Sequence, residues 1–293
     1  MIIQNISKLS PLLNKPNLFF SSINYNFNSL QPKDVNYFSS ILSPSEIIQD
    51  SFELQTYNTD WLHKYLGRSK LALKPNSTEK VSQILKYCND HRLAVVPQGG
   101  NTGLVGGGVP IEDEIVLSLS NLNKIMNFDK TSSVITCEAG CILESLNKYL
   151  LDYDHEIPLD LGAKGSCEIG GNIATNAGGT RFIKFGPFKS YILGLEVVLP
   201  NGQILDMESS ILKDNTGTDL KQAFIGSEGI LGVITKANIR ARPLDKYKQI
   251  LYMQCDSFAK VLEVNKLARA KLGRNLGAIE FTDSYASDCV QKY

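Results

Sequence analysis

Apolar and polar positions alternate along this chain with two different periods. In "NSTEKVSQILKYCNDHRLAVV", Val81, Ile84, Leu85 and Cys88 recur at the i, i+3, i+4 and i+7 spacing of one helix face. Asn76 or Ser77 can cap the first free N–H groups, with Glu79 in the first turn, so a helix is predicted to begin there. The apolar runs 93–96 and 115–119 have strand length, "VITCE" at 134–138 alternates with period two, and 142–151 reads as a second helix. Residues 193–199 and 204–206 flank "PNGQ", whose Asn-Gly favours a hairpin turn. "TDLKQAFIGSEGILGVITKANIR" predicts a short helix, a glycine turn and a strand over 232–240. Arg242 and Pro243 read as a boundary. Beyond residue 247 the pattern predicts a strand ("QILYMQC"), a helix rich in Lys and Leu, and a second strand ("LGAIEF"). This mixture excludes all-helical and all-β architectures.

Length adds that the 293 residues, 43% of them apolar, suffice for about two domains with a sizeable core. Thirty basic residues balance thirty acidic ones, and no Lys/Arg cluster interleaves with aromatics. A nucleic-acid surface is therefore not indicated, and a small molecule is the expected partner. No run reaches the ~18 to 20 apolar residues of a membrane helix. The six cysteines are scattered without a C-x-x-C pair, which argues for reduced thiols and against a zinc knuckle. His63, His91 and His155 stand too far apart for a helical pair, so no metal site is expected from this chain. The first 33 residues hold Lys8, Lys15 and Lys33, no acid, and many Ser and Asn. They read as an organelle transit peptide rather than a secretory signal; their lack of Arg leaves a disordered leader as the alternative.

Glycine changes the picture most. Twelve of the 23 glycines fall in two windows, six within "GGNTGLVGGG" (99–108) and six between Gly162 and Gly179 in "LDLGAKGSCEIGGNIATNAGG". Successive glycines let backbone N–H groups converge on an anion without Cβ clashes, and Asn101, Thr102, Ser166, Asn172, Thr175 and Asn176 add short polar side chains. A pyrophosphate wants that arrangement. Neither G-x-G-x-x-G nor G-x-x-x-x-G-K-[ST] is present, and a lone glycine-rich loop is as often a tight turn.

The ordered set "PQGGNTGLVGG", "PLDLGAKGSCEIGGNIATNAGG", "LGLEVVLPNGQILD" and "LKDNTGTDLKQAFIGSEGILGVIT" resembles the FAD-binding domain of the vanillyl-alcohol oxidase (PCMH) type flavoproteins, in the branch of FAD-binding oxidoreductases that act on D-2-hydroxy acids. The resemblance runs from about residue 55 to the C-terminus. It implies an α+β fold: an FAD-binding domain of two α/β subdomains over 67–246, then the incomplete start of an α+β substrate (cap) domain at 247–293. Residues 1–34 would be a mitochondrial transit peptide and 35–66 an N-terminal extension. It places the FAD pyrophosphate on Gly99, Gly100, Asn101, Thr102 and Gly103, with Gly106 and Gly107 admitting the backbone and Pro97 stiffening the entrance. Pro158, Gly162, Ser166, Gly171, Asn172, Thr175, Asn176 and Gly179 would line the flavin and ribityl chain, with Gly229 and Ile234 touching the cofactor from the later strand. Gly100 and Gly107 are expected at positions of close approach and positive φ.

The implied chemistry is oxidation of an R-configured 2-hydroxy acid, D-2-hydroxyglutarate to 2-oxoglutarate or alternatively D-lactate, in the mitochondrial matrix, with electrons passed to an electron-transfer flavoprotein. The first loop carries no histidine, so FAD would be held non-covalently. The substrate anchors, the base and a divalent metal such as zinc would belong to a C-terminal half; a non-catalytic FAD-binding fragment is the other reading. Two positions depart from the family pattern: Phe185 and Thr218 stand where aromatic hydroxyls are common. Arg181 is read as a structural ion pair, for instance with Glu168, backbone capping is the lesser alternative for the hydroxyls of Thr102, Ser166 and Thr175, and Trp61 and Tyr65 are read as packing.

Overall fold

The computed structural model describes residues 27–292; the transit-peptide expectation falls largely on residues 1–26, outside that range. Helix α1 (Pro32–Ile41) opens on a proline, whose missing N–H costs nothing in a first turn. After a short 3₁₀ turn come β1 (Ile47–Ile48) and α2 (Ser51–Asn58), capped by Asp50. Next are β2 (Ala72–Leu73), α3 (Thr78–Asp90), β3 (Val95–Gln98) and β4 (Ile115–Ser118). In α3 the predicted stripe is the buried one, and the cap is Ser77, whose hydroxyl accepts from the Lys80 N–H. These strands form a four-stranded sheet, order β1-β2-β4-β3, in which β2, β4 and β3 run parallel.

The second half begins with β5 (Ile125–Asp129), β6 (Val134–Glu138), α4 (Leu143–Leu151) and β7 (His155–Glu156). It continues with α5 (Ile169–Ala174), α6 (Phe182–Phe185), β8 (Ile192–Val198), β9 (Ile204–Met207), α7 (Lys221–Phe224) and β10 (Val233–Arg240). An antiparallel sheet in the order β5-β6-β10-β8-β9 results, with the predicted hairpin turned at Gly202, φ +84°. At 242–243, β11 (Arg242–Pro243) pairs with β7 and ties the chain back onto this half. One contiguous core joins both sheets. The Ser82 hydroxyl on α3 donates to the Gly202 carbonyl at 2.5 Å, and buried Glu196 on β8 accepts from Thr78, Thr235 and Lys236.

The N-terminal helices belong to this body. Tyr37 of α1 stacks on Tyr87 of α3 at 3.9 Å, and the Tyr87 hydroxyl donates to buried Asp34. Beyond β11 the expectation fails in part. Helix α8 (Phe258–Leu272) forms, followed by α9 (Ser284–Lys292), but "QILYMQC" and "LGAIEF" are unpaired, with Ile250 96% and Tyr252 93% exposed. A strand is defined by hydrogen bonds to a neighbour, and β-propensity without one leaves extended chain.

Candidate functional site

Both glycine windows converge on one cleft of about 750 Å³ between the two sheets. The first window leaves β3 at its carboxyl end, where open parallel sheets present their ligand crevices. The second runs from residue 161 into α5, and residues 228–234 close the wall from the start of β10. Fourteen of the expected positions line this cleft: Pro97, Gly99, Gly100, Asn101, Thr102, Gly103, Gly107, Gly162, Ser166, Gly171, Asn172, Thr175, Gly229 and Ile234. Four lie apart. Gly106 packs on the Tyr65 ring, Asn176 accepts from the Lys189 N–H, and Pro158 and Gly179 border a separate small hollow beside Arg181.

The glycines serve two purposes. A Cβ on Gly100 would collide with the Ser166 carbonyl, so this residue is bare because the two loops touch there. At Gly103, Gly162 and Gly171 a Cβ would meet nothing within 4 Å; these open faces belong to the cleft. Positive φ occurs at neither Gly100 nor Gly107, contrary to expectation, but at Asn101 (+51°), Gly106 (+74°), Glu228 (+54°) and Gly229 (+81°). Asn101 tolerates the left-handed region, and its amide donates to the Thr59 and Thr56 carbonyls, pinning the loop to the end of α2. The Thr175 and Ser166 hydroxyls donate to the Gly171 and Ala163 carbonyls, the backbone-capping role.

Among the described residues, none of the backbone N–H groups of 99–108 donates to a protein acceptor. These residues are half-buried or exposed, so their N–H groups stand free along the cleft, an arrangement that suits a ligand rich in acceptor oxygens. Two side-chain oxygens in the wall, Glu168 Oε2 and Asn172 Oδ1, are likewise buried without a partner. Burial pushes the Glu168 carboxyl up to about 8, only partly opposed by Lys74. Among the described residues, no Arg, Lys or His lines the cleft. The arrangement offers neutral donors and shape rather than cationic attraction, and it fits a bound dinucleotide.

Trp61, Gln98, Glu168 and Glu228 are cleft residues that sequence reasoning missed. Trp61, 69% exposed, stands at the cleft rather than in packing. Gln98 and Glu228 also line it; Gln98 Nε2 donates to the Gly108 and Tyr57 carbonyls and so shapes the first loop. Arg181 is an ion-pair residue as expected, but with Glu156 and Asp160, not Glu168. All six cysteines are free thiols. Among the described residues no three His, Cys, Asp or Glu side chains group as metal ligands, and no helix is long and apolar enough to cross a membrane.

A cleft of this make, between the two sheets and lined by open glycine faces, is suited to a dinucleotide. Residues 69–208 match the family described as FAD binding domain. Over 264 residues it is 51% identical to the mitochondrial D-2-hydroxyglutarate dehydrogenase of Arabidopsis thaliana, a match covering 90% of this chain and 47% of that protein. Its counterpart in Danio rerio is 48% identical over 267 residues, 91% of this chain and 50% of that protein. The chain thus spans about half the length of the curated relatives it matches. A solved alkyldihydroxyacetonephosphate synthase shares the fold, with a TM-score of 0.69 at 19% identity over 84% of this chain and 50% of that one.

Proposed function

We propose that this chain supplies the FAD-binding part of a mitochondrial FAD-dependent dehydrogenase that oxidises D-2-hydroxyglutarate to 2-oxoglutarate. The observation that carries it is the cleft floored by unpaired N–H groups and open glycine faces, in a chain about half identical to dehydrogenases named for that substrate. In this reading the backbone of 99–103 holds the pyrophosphate, while Gly162, Gly171, Asn172 and Ile234 bound the flavin. Bound FAD supplies a hydride acceptor. The chain's own residues position it: Pro97 and Gly229 pack together at the entrance, Gln98 fixes the loop, and Trp61, Leu104 and Val105 offer apolar cover against water. We place the substrate anchors, any divalent metal such as zinc, and the docking of an electron-transfer flavoprotein in the further length that the relatives have, with a matrix location for the whole.

The test is a titration with FAD, followed by flavin fluorescence and thermal melting. Reversible binding is expected, with all flavin released on heat or acid precipitation, since no histidine in the first loop can attach it. At a hundredfold excess over Kd the fold should gain about 2.7 kcal/mol. With no cation in the cleft to hold a dicarboxylate, this chain alone is expected to leave the oxidised flavin absorbance unchanged on anaerobic mixing with D-2-hydroxyglutarate. Failure to bind FAD would overturn the reading; bleaching by the D but not the L isomer would show that an anchor and a base lie within this chain.

A further inference from the structure

Glu168 is the last residue before α5 and the neighbour of the first glycine loop, its Oε2 lying 3.4 Å from where a Cβ on Gly99 would stand. Its side chain is 7% exposed, the oxygen has no partner, and the residue lines the cleft. Its backbone is fixed on both sides, by a bridge to Ile142 and by the Asn172 N–H that its carbonyl accepts. The carboxyl is thus held against the ligand space by a rigid turn.

An ionised carboxylate there would be untenable beside an anionic ligand. Among the described residues the cleft wall carries no Arg, Lys or His to offset it, and a second carboxyl, Glu228, already stands across the first loop, 3.5 Å from the Cβ position of Gly107. Two negative charges facing a pyrophosphate in a partly dry cleft would cost far more than one neutral hydrogen bond. The remedy is chemical: a protonated carboxyl is a donor as well as an acceptor.

Resting on the reading of the cleft as the FAD site, we propose that Glu168 takes part in cofactor binding as a neutral carboxylic acid, its O–H serving as a donor to the anionic cofactor, so that FAD affinity is gated by one proton. Burial raises the Tyr57 hydroxyl and the Cys167 thiol, and Lys74 acts as a positive charge that opposes protonation. Burial raises Glu168 itself to about 8, so the proton is lost just above neutral pH. An anionic ligand favours the protonated form further, and binding therefore draws a proton in.

The experiment measures the Kd of FAD from pH 6 to pH 10 in the parent and in Glu168→Gln, which keeps the shape and a donor but cannot ionise. In the parent the Kd is expected to be flat below about pH 8 and to rise up to tenfold per pH unit above it, the slope of a one-proton linkage; in E168Q it should stay flat. A second readout uses the parent alone: binding heats near pH 8.5 in buffers of different ionisation enthalpy should reveal net proton uptake, whether or not the variant folds. The same rise in E168Q, or no proton uptake by the parent, would overturn the gate while leaving the FAD site intact. No FAD binding by the parent at any pH would overturn the gate together with the reading of the cleft.

Discussion

Gly100 and Gly103 stand in one loop yet are bare for opposite reasons. A side chain on Gly100 would strike the Ser166 carbonyl and come within 3.2 Å of the Cys167 Cα, whereas one on Gly103 would meet nothing within 4 Å and would enter the cleft. Gly100→Val should therefore push the two loops apart, costing about 1 to 3 kcal/mol as overpacking does, and lose FAD binding with it. Gly103→Ala should leave the melting temperature unchanged and weaken FAD several-fold. Paired melts and titrations separate the cases: a Gly103→Ala protein that melts early, or a Gly100→Val protein that binds FAD like the parent, would show the roles misassigned.

At the scale of elements, the two N-terminal helices are fastened to the sheet body through Glu46, just before β1. Its carboxylate accepts from Lys80 Nζ on α3 at 2.8 and 2.9 Å and from the N–H groups of Ser43 and Asn76. Burial by itself would raise this carboxyl, but Lys80 and Ser43 together hold it below its ordinary 4.5. A group whose folded-state pKa is depressed contributes stability in full above the unfolded value and loses it as pH falls through the folded one. Glu46→Gln should cost about 1 to 3 kcal/mol at pH 7 through the unpaired partners. The gap between variant and parent should close as pH drops below about 4.5, when the parent loses the same interaction. Urea melts across that range read it directly; a gap independent of pH would rule out the ion pair as its source.

For the whole molecule, stability is unevenly distributed. The buried clusters lie within residues 27–246, whereas among the described residues beyond 246 Leu276 stands alone as a buried side chain. What tethers the connecting stretch is electrostatic: Lys184 pairs with Asp245, and exposed Lys248 lies 3.8 Å from Glu156. Segments with few buried apolar contacts open locally at little cost. Limited trypsin treatment should cut first after Lys246 or Lys248, and the remaining body should still bind FAD, because every residue lining the cleft lies between 61 and 234. First cuts inside the antiparallel sheet, or release of flavin on the first cut, would contradict this division.

Whatever depends on neighbours in the chain was legible in the residues themselves. The stripe of α3, the alternation of β6, the Asn-Gly hairpin and the two glycine loops are local patterns, and local spacing fixes which face a helix or strand can bury. Whatever depends on partners far along the chain was decided only by the tertiary structure. Arg181 chose Glu156 over Glu168, which left Glu168 unpaired in the cleft. Gly100 turned out to be a contact between loops, and Trp61 a cleft residue. The β-rich segments at 249–255 and 276–281 found no strand to join. Ion pairs, interloop contacts and sheet ladders each need two groups brought together by the fold, and a sequence read in order carries no distance between them.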